Sequence, residues 1–182
     1  MASTTLEKAR SEAEVSEPEV VAERSGSILR VQMNRPAKKN AMTVSMYTAI
    51  ADLLNAADKD DEIRVVVIYG AGDSFTAGND LGDFQKNPPK AGGSPQARLT
   101  DALITFSKPL VAAVRGAAVG SGTTMLLHFD FVYAAENAIF QMPFVNLALV
   151  PEFGSSYLAP AQAGYIAAAF QLHSCTACTS GQ

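Results

Sequence analysis

A chain of 182 residues, 48% of them hydrophobic and 18% charged, suits a single globular domain large enough to bury a core. A formal net charge of -4 without a long Lys/Arg cluster argues against nucleic acid as the main partner, and no apolar run approaches the length that crosses a bilayer. The N-terminal stretch is rich in Glu, Ser and Ala, with neither the basic start and apolar block of a secretory signal nor the Arg-rich character of a transit peptide. A cytoplasmic protein is therefore expected.

Residues 1–18 are polar and aperiodic and are expected to be disordered. Residues 20–24 and 27–33 predict two strands joined at Ser25-Gly26 as a hairpin. The loop Asn34-Arg35-Pro36-Ala37-Lys38-Lys39-Asn40-Ala41 holds three cations; it reads as a solvated turn or, beside a cleft, as a holder of an anionic ligand. Thr43 is a candidate N-cap for a helix over residues 44–57, with Met46, Ile50, Leu53 and Leu54 on one apolar face and the acidic run 58–62 at its end. The uninterrupted Val65-Val66-Val67-Ile68 predicts a strand over residues 63–69 covered on both faces, hence an α/β fold with a parallel sheet and helical crossovers.

The turn Phe75-Thr76-Ala77-Gly78-Asn79-Asp80-Leu81 follows that strand and opens a helix, where Asp80 reads equally as a cap or as an acid. Residues 85–96, rich in Pro, Gly and Lys, predict a mobile loop, and residues 97–106 a helix ended by Lys108-Pro109. A buried strand over 110–114 leads into Gly116-Ala117-Ala118-Val119-Gly120-Ser121-Gly122-Thr123-Thr124-Met125, the stretch the chain is organised around. Glycines there permit a tight turn, and the first N–H groups of the following helix, at the positive end of its dipole, favour an oxygen that carries or develops negative charge. No Lys followed by Ser or Thr closes this turn, so it is not a phosphate loop of the usual kind. Close packing of helix on strand is the alternative reading.

A helix over 121–128 and strands over 129–134 and 138–141 follow, with His128 read as structural. Glu152 then stands as a lone carboxylate in an apolar segment. Apolar surroundings raise a carboxyl pKa and turn a glutamate into a proton carrier near neutral pH, while a cap for a helix over 156–170 is the other reading; both remain open at this level. Cys175 and Cys178 lack the second Cys or His pair a zinc site needs, and no metal site is expected.

Asn34-Arg35-Pro36 with Asn40-Ala41, then Phe75 to Leu81, then Lys108-Pro109 through Gly116 to Gly122 resemble, in order and spacing, the crotonase or enoyl-CoA hydratase/isomerase superfamily. The resemblance covers residues 27–160 and implies a crotonase-like ββα spiral that binds acyl-coenzyme A thioesters. It divides the chain into a disordered segment 1–18, a core 19–160 and a divergent tail 161–182, without the family's usual C-terminal helical part. It places oxyanion-hole donors at the backbone N–H of Asn79 and Ser121, a position where family members usually carry Gly. Residues that meet the thioester are expected at Arg35, Ala37, Lys38, Lys39, Ala41, Ala77, Gly78, Asp80, Leu81 and Gly120. The two glutamates of the family's hydratases fall on Thr124 and Phe144, neither of which deprotonates water. Val150-Pro151-Glu152-Phe153-Gly154-Ser155-Ser156-Tyr157 resembles instead the Δ3,Δ2-enoyl-CoA isomerase branch, making Glu152 the base. The resemblance thus implies an isomerase with no resident cofactor, coenzyme A entering as part of the substrate, and a trimer-type homo-oligomer. A hydratase, another crotonase-type reaction, or an inactive acyl-CoA-binding protein are the alternatives.

Overall fold

The computed structural model describes residues 17–87, 93–174 and 176–179. Strands β1 (Val20–Ser25) and β2 (Ile28–Met33) form the predicted antiparallel hairpin. Glu17 and Pro18, assigned by the sequence to a disordered segment, lie against Asn34, whose side-chain amide donates to the Pro18 carbonyl at 3.2 Å. The rest of that segment is outside the described residues.

Helix α1 (Val44–Lys59) starts where Thr43 Oγ1 accepts from the Met46 N–H at 3.2 Å. It runs past the expected end at Ala57 because its last turn is capped from elsewhere. Lys108 Nζ donates to the carbonyls of Ala57 and Asp60, each at 2.7 Å, which satisfies groups that a helix C-terminus leaves open. Its buried face holds Met46, Tyr47, Ile50, Ala51, Leu54 and Ala57, with Leu53 only half-buried at its border.

Strands β3 (Val65–Gly70), β4 (Leu110–Val114) and β6 (Phe131–Ala134) extend the hairpin into a five-stranded sheet of order β1-β2-β3-β4-β6, parallel from β2 onward. The sheet is covered on one face, not both. Val66 and Ile68 are buried while Val65 and Val67 are half-buried. The reason is that the crossover helices lie on the same side: α1 packs on α3 (Pro95–Thr105), and their apolar residues join Val31, Val66, Ile68 and Ala112 in one core. Helix α3 begins two residues before its expected start, with Ser94 as N-cap and Pro95 in the first turn. The short α2 (Leu81–Lys86) occupies the start of the predicted mobile loop, whose centre lies outside the described residues.

A second sheet of order β5-β7-β8 pairs β5 (Ala117–Val119) in parallel with β7 (Ile139–Gln141). Between them run α4 (Ser121–Thr124) and a 3-10 turn, Met125–His128, in place of one continuous helix. The predicted helix over 156–170 is two helices, α5 (Ser155–Ala163) and α6 (Tyr165–Ser174), because Gly164 turns the chain at φ +82. The tail also supplies β8 (Cys178–Thr179), antiparallel to β7, with Cys178 unbridged; Cys175 is outside the described residues.

Candidate active site

Two loops meet beside the second sheet. Thr76 N–H donates to the Ala117 carbonyl and Val119 N–H to the Thr76 carbonyl, both at 3.0 Å, so the 75–81 turn runs along β5. On the other side, Met42 N–H donates to the Gly78 carbonyl at 2.7 Å and Asp80 N–H to the Met42 carbonyl at 2.9 Å. In such a bridge the residue between, Asn79, turns its own N–H away from Met42. Ser121 opens α4, so its N–H has no acceptor within the helix. Among the described residues no group accepts from the Asn79 or the Ser121 N–H.

This contact depends on two missing side chains. Gly78 sits at φ +86, and a Cβ there would lie 2.6 Å from the Val119 carbonyl oxygen; a Cβ on Gly122 would lie 2.5 Å from the Thr76 methyl. From below, the buried Asn40 fixes the first loop: its Nδ2 donates to the Ala71 and Ser74 carbonyls at 2.8 Å each, and its Oδ1 accepts from the Arg35 N–H at 2.9 Å.

The loops wall a cleft of about 430 Å³. It brings together Lys38, Ala41, Ala77, Gly78, Asn79, Asp80, Leu81, Gly120, Ser121 and Glu152, and adds the apolar Phe84, Val119, Phe144, Leu147 and Leu149. Glu152 is half-buried there, and its pKa is pushed up to about 7 by loss of water; hydrogen bonding from the Asn79 side-chain amide opposes the shift. The second carboxylate of the cleft, Asp80, is a poor base. Its oxygens accept from the Asp83 N–H at 3.1 Å and from Arg35 at 3.0 Å, which hold it below the usual carboxylate range. The helix-cap reading of Asp80 thus prevails.

Three expected ligand residues stand apart. Arg35 is committed to Glu19 at 2.9 Å, to Asp80 and to the Ala41 carbonyl, so its guanidinium is a clamp between loops and not a cleft group. The carboxylates of Glu19 and Asp80 neutralise the guanidinium there, which removes the charge an anionic ligand would seek. Ala37 and Lys39 are exposed on the 3-10 turn Pro36–Lys38 and its exit, outside the cleft wall.

The turn carrying Glu152 is held from behind. Phe153 adopts φ +52, unusual for a bulky residue, and its carbonyl lies 2.8 Å from His128 Nε2. His128 is structural, as the sequence reads it, with that task. Thr124 is buried, donates to the Gly120 carbonyl at 3.2 Å and lies off the cleft wall, while Phe144 is an apolar part of that wall.

Tyr47 escapes sequence reading. Its hydroxyl lies 2.6 Å from Asn79 Oδ1 and 2.9 Å from Ser121 Oγ, and the residue is fully buried. The signal present in the sequence is a tyrosine inside the apolar stripe of α1, whose hydroxyl must find a partner when buried.

The sequence profile described as Enoyl-CoA hydratase/isomerase matches residues 23–180. The chain is 43% identical over 142 residues to human enoyl-CoA delta isomerase 2, covering 73% of this chain and 35% of that protein. It is 37% identical over 148 residues to enoyl-CoA hydratase EchA19 of Mycobacterium tuberculosis, covering 78% and 55%. A putative enoyl-CoA hydratase/carnithine racemase from Magnetospirillum magneticum superposes with a TM-score of 0.86 at 43% identity, over 91% of this chain and 65% of that one. The chain spans between about a third and just over half of these two curated relatives. Motifs, crotonase-type architecture and matched span agree: the chain belongs to the enoyl-CoA hydratase/isomerase family.

Proposed function

We propose that the chain acts on acyl-coenzyme A thioesters as a Δ3,Δ2-enoyl-CoA isomerase. The observation that carries this reading is a single usable base, Glu152, in an apolar cleft that also holds the unpartnered N–H groups of Asn79 and Ser121. The Glu152 carboxylate removes a proton from C2 of a 3-enoyl thioester. The C2–H electron pair moves into conjugation with the carbonyl and the C3–C4 double bond, giving a dienolate whose negative oxygen accepts from the two N–H groups. The protonated Glu152 then returns the proton at C4, and the double bond forms between C2 and C3. Donors aimed at such an oxygen contribute about 3 kcal/mol each to the transition state.

A base with a pKa about 7 is matched to this work, since it is part carboxylate at neutral pH and a competent acid once protonated. Water addition needs a second acid–base group, and the positions that supply it in hydratases hold Thr124 and Phe144. Among the described residues, Lys38 is the cation on the cleft wall that would meet a phosphate of the coenzyme. A 3-enoyl-CoA and a 2-enoyl-CoA, each supplied in oxygen-18 water, test the reading. The expected result is conversion of the first to the 2-enoyl thioester and no labelled product from the second; an unreacted 3-enoyl-CoA together with a labelled 3-hydroxyacyl thioester from the 2-enoyl-CoA would overturn it in favour of hydration.

A further inference from the structure

Asn79 has two parts with separate uses: its main-chain N–H faces the cleft without a partner, and its side-chain amide meets Glu152. An amide has a donating end and an accepting end, and rotation by half a turn exchanges them. With NH2 toward the carboxylate the contact is attractive; with the carbonyl toward it, two oxygens face each other. Something has to select the first arrangement. Tyr47 does so geometrically, since its hydroxyl lies 2.6 Å from Asn79 Oδ1. That hydroxyl has one proton to give. Asn79 Oδ1 only accepts, so the Ser121 hydroxyl, 2.9 Å away, donates to the Tyr47 oxygen. Every proton in the series Ser121, Tyr47, Asn79, Glu152 then points the same way.

We propose that Tyr47 is a positioning residue, held by the Ser121 hydroxyl, that locks the Asn79 amide with its NH2 toward Glu152 and so couples both oxyanion donors to the base. The proposal rests on the isomerase reading for its catalytic meaning, and for its structure on the two Tyr47 hydrogen bonds and the cleft that Asn79 and Ser121 share with Glu152. It gives a use to the side chain of Ser121, which stands where a glycine is usual. Burial and the Glu152 charge push the Tyr47 hydroxyl well above its ordinary pKa, so it stays a donor throughout the working range. The charged groups that share the cleft with Glu152 are Lys38 and Asp80, and His128 reaches its turn through the Phe153 carbonyl.

The test is the titration of Glu152 in the full chain without substrate, followed by carbon-13 NMR of labelled glutamate carboxyls, with Glu152→Gln to identify the signal. Tyr47→Phe removes only the hydroxyl, and the Glu152 midpoint is expected to rise by about one pH unit as the amide loses its orientation. The acid limb of kcat/KM for a 3-enoyl-CoA is expected to move by the same amount, with KM within about twofold and kcat down about tenfold. Ser121→Ala, which leaves the tyrosine in place, is expected to move the midpoint in the same direction by less, and it serves alone if Tyr47→Phe does not fold. A midpoint unchanged in the folded variants overturns the proposal. A shifted midpoint in a chain that does not isomerise the thioester keeps the hydrogen-bond series and overturns the function.

Discussion

Burial of Glu152 costs the fold stability. A glutamate in the unfolded chain titrates near 4.5 and Glu152 in the fold near about 7, so between these values the folded chain binds the extra proton. Stability therefore falls as pH rises through this window, by up to about 3 kcal/mol from this residue. Gln at this position has nothing to ionise. Glu152→Gln is expected to melt higher than wild type above pH about 7 and no higher below pH about 4.5, measured by thermal unfolding across pH. Under the proposed mechanism the same residue would set the rate profile: kcat/KM is expected to fall about tenfold per pH unit below a midpoint of about 7 and to level off above it. A midpoint in the ordinary carboxylate range would show that Glu152 is solvated in solution.

At the scale of elements, the site is two loops in contact and one turn pinned behind them. Gly78→Ala puts a Cβ at φ +86 and 2.6 Å from the Val119 carbonyl, and is expected to destabilise the chain by about 2 kcal/mol or more in denaturant unfolding. His128→Ala frees the Phe153 carbonyl, and is expected to lower kcat about tenfold through a misplaced base while the denaturant midpoint changes little. The sequence displays the first kind of feature well. Gly78, Gly120, Asn79 and the cap at Thr43 are local in the chain, and local backbone demands leave local signatures. It hides what arrives across the fold. Arg35 looks free in its loop and is taken by Glu19 and Asp80. Tyr47 looks like part of an apolar stripe and reaches two loops; Lys108 looks like a helix stop and caps another helix. One-sided burial of the sheet is hidden for the same reason, since Val65-Val66-Val67-Ile68 has the same appearance whether one face or two are covered.

The whole molecule leaves large apolar side chains in water along its C-terminal third: Val150, Tyr157, Tyr165, Ile166 and Phe170 are all more than half exposed, as are Phe131 and Tyr133 on the edge strand β6. Surfaces of this kind associate. Sedimentation velocity is expected to show species heavier than the 19.2 kDa chain, and a single monomer peak across the micromolar range would count against it. Asn79, Ser121 and Glu152 line one cleft, and the Tyr47 hydroxyl joins the first two from the core. The most direct test of the central claim is the rate at which the chain converts a 3-enoyl-CoA to the 2-enoyl thioester, compared with Glu152→Gln at equal concentration. The expected result is a loss of about a thousandfold with substrate binding retained; equal rates in the two proteins would contradict the account.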